Sequence, residues 1–164
     1  MKVYDQQFNQ NEWFVVIVLI VTFFTISKLP RRFSKATTYT LVLMGIFIGM
    51  FADHTISIPP FDFYDVNDNS TYEVFDFFTY VMYGPFGYLF LYFYDYLQIK
   101  GLKIMLYIIL WTSLSIFMEY IASSLGVFHY KKGYSLLFSI PIYLWIQSLV
   151  IVYYHLLKRK TSSL

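Results

Sequence analysis

The chain has 164 residues, of which 58% are hydrophobic, 23% aromatic and only 13% charged, with a formal net charge of +2. Soluble domains carry about 25% charged residues, and a domain of this size buries only about two-thirds of its chain surface, so water is excluded as the solvent for this many Phe and Tyr rings. The lack of cysteine excludes disulfides, thiolate metal sites and a cysteine nucleophile, and so small a net charge supplies no basic face for nucleic acid.

About 20 helical residues are needed to cross roughly 30 Å of hydrocarbon. Five segments meet that length, at 12–28, 37–57, 75–94, 104–123 and 136–156, and the expectation is an all-α integral membrane protein with five transmembrane helices in a single domain over residues 1–164. The first segment follows "MKVYDQQFNQNE", which lacks the basic region of a secretory signal, and no small-residue cleavage site succeeds it, so it is read as an uncleaved span. Lys and Arg accumulate on the cytoplasmic side. With the N-terminus outside and the C-terminus inside, nine of the twelve basic residues fall inside: Lys28, Arg31, Arg32, Lys35, Lys100, Lys103, Lys158, Arg159 and Lys160. Asp62, Asp65, Asp68 and Glu73 then lie in the outer loop 58–74, the longest connection, and Asp95 is the one inside carboxylate.

Polar residues inside spans are costly, so their faces carry the information. On the second span Gly45, Gly49 and Asp53 recur every four residues, which puts the carboxylate on a small-residue face that another helix can approach closely. On the third, Asp76, Tyr80 and Gly84 share that spacing. Thr112, Ser115, Glu119 and Ser123 form the stripe of the fourth, and Ser135, Ser139, Tyr143 and Gln147 that of the fifth. At a rise of about 1.5 Å per residue, Asp53, Asp76 and Glu119 reach similar depth near the outer side, level with Ser139 and Tyr143. The candidate pocket is therefore Asp53, Asp76, Tyr80, Glu119, Ser139 and Tyr143, rimmed by His54, His129, Lys131 and Lys132. Pro85 and Pro141 would loosen the third and fifth helices on that side. Tyr92, Tyr94 and Tyr96 fit an aromatic belt at the inner interface.

Three carboxylates in a medium of low dielectric must be protonated, hydrogen-bonded, paired or bound to a cation. They either clamp the helices together or line an outward-facing site for a cation, a proton or an amine. Asp53, His54, Glu119 and His129 are acceptable zinc ligands, but no pair is held on one helix face, so no metal site and no cofactor is expected. Adjacent Asp53 and His54 point about 100° apart on a helix and do not form a dyad.

Asp53 closing a helix before a proline-containing loop, "FD" at Phe75–Asp76 followed by Pro85, Glu119, and "GVFHYKKGYS" from Gly126 to Ser135 resemble an uncharacterised family of small polytopic membrane proteins common in spore-forming Gram-positive bacteria. The resemblance covers about residues 40–157 and departs at Tyr134, where the family often has tryptophan. It implies a multi-pass protein of the cell membrane with about five helices, and it transfers no catalytic residue.

The first functional reading is a non-enzymatic membrane protein, a subunit, scaffold or sensor. Its partners would be the lipid bilayer and a membrane protein or a second copy of the chain. The alternative is a small transporter or ligand-binding module holding a cation or amine at Asp53, Asp76 and Glu119. A further alternative, an intramembrane enzyme on a lipid or isoprenoid, would need Glu119 paired with His54 or His129 as acid and base.

Overall fold

The computed structural model describes residues 2–161, with side chains as far as Lys158. The side chains of Arg159 and Lys160, counted above in the basic tail, lie outside the described residues. Five helices run in chain order: α1 (Gln10–Lys28), α2 (Lys35–Ile56), α3 (Val74–Tyr96), α4 (Lys103–Ser124) and α5 (Leu136–Thr161). Two short strands, β1 (Tyr64–Val66) and β2 (Phe128–Tyr130), interrupt the α2–α3 and α4–α5 connections.

Polar residues at the helix starts satisfy backbone N–H groups that a helix cannot satisfy itself. The Glu12 carboxylate accepts from the Asn9 N–H at 2.7 Å, closing a capping box on α1. Ser34 Oγ accepts from Thr37 N at 3.1 Å to start α2. Asp76 Oδ2 accepts from Glu73 N at 2.8 Å at the start of α3.

Four helices are long and apolar enough to cross a membrane: α1, α2, α4, and α5 over Leu136–Lys158. Their outward faces are apolar, with Ile20, Phe47, Leu110 and Trp145 all more than 60% exposed. So many contiguous exposed apolar rings and chains would be an aggregation liability in water and are at home in lipid.

α3 does not qualify as a span, which corrects the expectation at 75–94. Its surroundings give the reason. Tyr80, Tyr83, Tyr88, Tyr92, Tyr94 and Tyr96 load it with hydroxyls that hydrocarbon cannot satisfy, and from Thr79 to Asp95 every residue is buried or half-buried. α3 is the helix that protein, rather than lipid, solvates. It runs unbroken through Pro85, as α5 does through Pro141.

α2 packs on α3 backbone to backbone. A methyl group on Gly45 would lie 2.6 Å from the Tyr83 carbonyl oxygen, so that position requires glycine, and one on Gly87 would lie a tight 3.1 Å from the Gly45 Cα. The small-residue face read from Gly45 and Gly49 is where the two helices meet. α1 also packs on α3, and α4 packs on α5. The two groups join at their ends and leave a cleft between them.

At one end, β1 and β2 pair antiparallel, with Tyr64 opposite Tyr130, Asp65 opposite His129 and Val66 opposite Phe128. The N-terminal segment adds to this cap: Tyr4 N donates to Asp68 O at 2.7 Å and Val3 bridges Asn69. At the opposite, basic end, Asp95 gathers three elements. It accepts from Arg32 Nε, from the Tyr154 hydroxyl and from Lys158 Nζ. Beside it Phe33 sets its edge against Tyr88, Tyr92 and Tyr154. Tyr92 and Tyr94 are thereby core residues, 2% and 3% exposed, and only Tyr96 is placed as a belt residue would be.

Candidate functional site

The cleft between the α1–α2–α3 group and the α4–α5 group encloses a cavity of about 230 Å³. Its walls are mainly apolar and aromatic, from Phe14, Tyr83, Phe86, Phe90 and Trp111. Polar groups enter from both sides at the cap end, where the strands contribute Tyr64 and Tyr130 and the connection after β2 contributes Tyr134. Among the described residues no Lys or Arg lines it.

Asp53 reaches the cavity from the last turn of α2. Ser57 Oγ donates to its Oδ1 at 2.8 Å and the Tyr80 hydroxyl donates to its Oδ2, so both oxygens are engaged. Glu119 enters from α4 on the facing side. Its Oε1 accepts from Tyr130 and from Ser139, each at 2.7 Å. Because Ser139 gives its proton to Glu119, it accepts from Tyr134, at 2.9 Å. Glu119 Oε2 has no hydrogen-bond partner among the described residues, although it is buried and the residue as a whole is only 9% exposed. An unpartnered, buried carboxylate oxygen is the kind of group that demands a reason. The Tyr143 hydroxyl approaches the same carboxylate at the edge of hydrogen-bonding range, and Tyr64 and Tyr83 lie near both Asp53 and Glu119.

The deeper stripe behaves differently. Thr112 Oγ1 donates to Gln147 Oε1 at 3.1 Å, and Gln147 Nε2 donates to Ser115 Oγ at 3.3 Å. These groups satisfy one another and lace α4 to α5, as polar side chains commonly do between membrane helices. Bracing accounts for them; it does not account for Glu119 Oε2.

Of the six pocket residues expected from sequence, Asp53, Tyr80, Glu119, Ser139 and Tyr143 line the cavity. Asp76 does not. Asn67 Nδ2 donates to its Oδ1 at 2.7 Å and the Glu73 N–H to its Oδ2, so Asp76 braces the start of α3 beneath the cap. None of the four expected rim residues lines the cavity, although the His54 ring lies 6.0 Å from that of Tyr80. His54 is exposed, its Nδ1 2.9 Å from Met50 O. His129 stacks flat on Tyr4, ring centroids 3.6 Å apart. Lys131 Nζ pairs with Asp65 at 2.7 Å and with Asp62, and Lys132 Nζ lies 3.2 Å from Asp62. Neither histidine meets Glu119, so the acid–base pair that an enzyme reading required is not assembled.

The cap's ionisation follows from these contacts. Although burial works against its charge, hydrogen bonds to Asp62 and Asp65 hold Lys131 above its ordinary value. The hydrogen bond from Lys131, with that from Lys132, holds Asp62 below the usual carboxylate range. Burial pushes His129 down, favouring the neutral ring that stacks on Tyr4. Burial and then the Glu119 carboxylate push the Tyr130 phenol up, which keeps it a donor over the cavity.

Sequence reasoning missed Asn67, which is fully buried with a left-handed φ of 53° and carries the cap onto α3. It also missed Tyr130 and Tyr134 as partners of the Glu119–Ser139 pair. Asn within "DVNDNS" is the one local signal, since Asn tolerates that backbone region better than most residues. No family model, curated protein or solved structure matches this chain. The functional reading therefore rests on the geometry of the cleft.

Proposed function

We propose that this chain is a non-enzymatic multi-pass protein of the cell membrane that binds a small molecule in the cleft between its two helix groups. The supporting observation is Glu119 Oε2, a buried carboxylate oxygen left without a hydrogen-bond partner among the described residues, on a cavity wall where Asp53, Tyr80, Tyr130 and Ser139 are all paired. Polar side chains that only brace membrane helices find partners on their neighbours, as Thr112, Ser115 and Gln147 do here. At about 230 Å³ the cavity is below the roughly 300–1,000 Å³ of drug-sized pockets, so the ligand is small.

The cap end faces outward in this proposal and the basic end faces the cytoplasm. Lys28, Arg31, Arg32, Lys35, Lys100 and Lys103 sit at or beside helix ends on the basic side, as the positive-inside tendency requires. The resemblance to small polytopic proteins of spore-forming Gram-positive bacteria enters only as a cellular setting. A sensor that reads the ligand, or a subunit that passes the signal to a partner, is consistent with a cap that touches the site directly through Tyr130.

The test is ligand-induced stabilisation of the protein in lipid nanodiscs, read by thermal unfolding against a panel of small amphiphiles. Binding should raise the midpoint for some compounds, and Ala52→Leu, which grows into the cleft from α2, should abolish that rise while leaving helicity intact. A panel with no stabilising compound, or stabilisation unaffected by Ala52→Leu, would overturn the cleft as the binding site.

A further inference from the structure

Resting on that reading, we infer that the ligand is a small organic monocation whose ammonium group binds Glu119 Oε2 and whose apolar body lies against the aromatic wall of the cleft. Four observations converge on this chemistry. The cavity holds two carboxylates, Asp53 and Glu119, on opposing walls and no Lys or Arg among the described residues, so its field favours a cation.

The hydrogen bonds then assign different roles to the two carboxylates. Asp53 spends both oxygens on Ser57 and Tyr80. Glu119 is held by Tyr130 and Ser139 through Oε1, which orients the carboxylate and leaves Oε2 without a close donor, the Tyr143 hydroxyl standing at the edge of hydrogen-bonding range of the group. An ammonium brings up to three donors to that position. Glu119 is thus the anchoring residue, and Asp53 a second negative charge across the cleft.

Third, the cavity wall that runs deeper from these carboxylates is aromatic, from Tyr83, Phe86 and Trp111. Such surfaces accept an apolar body and attract a nearby cation. A hydrated inorganic cation would find few exposed oxygens there, because most of the cavity's surface is carbon. Fourth, among the described residues no group of three His, Asp or Glu side chains converges as metal ligands do, so an inorganic cation lacks a ligand set.

The experiment compares phenethylammonium with 2-phenylethanol, a neutral molecule of nearly the same shape, on the full chain in nanodiscs. Trp111 lines the cavity and supplies an intrinsic fluorescence signal, with isothermal titration as the second readout. Phenethylammonium should bind saturably and at least about tenfold more tightly than the alcohol, as expected for a charge-assisted hydrogen bond. Glu119→Gln should erase most of that preference and leave alcohol binding near its original level, while Asp53→Asn should reduce it by a smaller factor.

Equal affinity for the two probes overturns the monocation and leaves the cleft reading standing. Loss of the preference in Asp53→Asn but not in Glu119→Gln overturns Glu119 as anchor. Failure of both probes to bind counts against the cleft reading itself. If Glu119→Gln does not accumulate, the comparison of the two probes on the unaltered chain decides by itself.

Discussion

Three carboxylates that look equivalent in the sequence have three different fates, set by the donors each one meets. Asp53 has both oxygens engaged, Glu119 only one of its two, and Asp76 is a brace tied to Asn67 and to the start of α3. Asp76→Asn should therefore lower stability without altering ligand preference, because it removes an acceptor from a buried cluster outside the cavity. Breaking one buried hydrogen bond to a charged group costs about 1.5–3 kcal/mol, and a denaturation series in mild detergent would read it. At the other end Asp95 joins Arg32, Tyr154 and Lys158. The Lys158 side chain is 60% exposed, so its pair is screened by solvent and Lys158→Ala should cost less than about 1 kcal/mol. Asp95→Ala should cost more, since Arg32 and the Tyr154 hydroxyl lose their partner together. Equal losses in the two variants would show that the hub does not act as a unit.

α3 illustrates how an element's environment differs from what its composition suggests. Its apolar content invites a lipid-facing reading, but six tyrosine hydroxyls need acceptors, and packing supplies protein around it from Thr79 to Asp95. The close approach of α2 makes this possible, and it depends on Gly45, Gly84 and Gly87. Gly45→Val would force the two backbones apart against a carbonyl and a helix, not against a flexible side chain. Overpacking of this kind costs about 1–3 kcal/mol, and the expected outcome is a lower unfolding midpoint together with a changed Trp111 environment, since α2 and α3 form one wall of the cleft. An unchanged midpoint would mean that α2 is free to shift. Gly101 is the control: nothing lies within 4 Å of a Cβ there, although its φ of 58° adds local strain.

For the molecule as a whole, the cap covers one end of the cleft, and its ionisable groups define a pH window. His129 has a folded pKa below its ordinary 6.5, so its contribution is complete above that value and is lost as pH falls through the lowered one. It is surrounded by Tyr4, Lys2, Asp65 and Asp68, and protonation would charge a buried stacked ring. Asp62 acts in the same direction at lower pH: its contribution is present above its ordinary 3.8 and disappears below it. Lys131 and Tyr4 have the opposite sign. Their folded values are raised, that of Tyr4 to about 12, so their contributions are complete below their ordinary 10.5 and 10.0 and fade as pH rises through the raised values. Hydrogen exchange at Tyr64–Val66 and Phe128–Tyr130 should accordingly be most protected, after correction for intrinsic rates, between about pH 6.5 and 10. Protection that is flat down to pH 4 would remove His129 from this role.

The bilayer-suited solvent, the helix positions and the polar stripes were all legible in the chain, because each follows from hydropathy and a period of 3.6 residues, which are local properties. Five of six expected pocket residues could be found that way, since a stripe on one helix needs only its own spacing. What the tertiary structure decided was which stripes meet. Tyr130 reaches Glu119 only because β2 folds back from the end of α4 and pairs with β1, a strand more than 60 residues earlier. That pairing draws Lys131 and His129 into the cap, away from the cavity, and Asn67 claims Asp76 for the same structure. The open oxygen of Glu119 is the result: hydrogen-bond satisfaction is counted over all neighbours in space, and no spacing along a single helix records it.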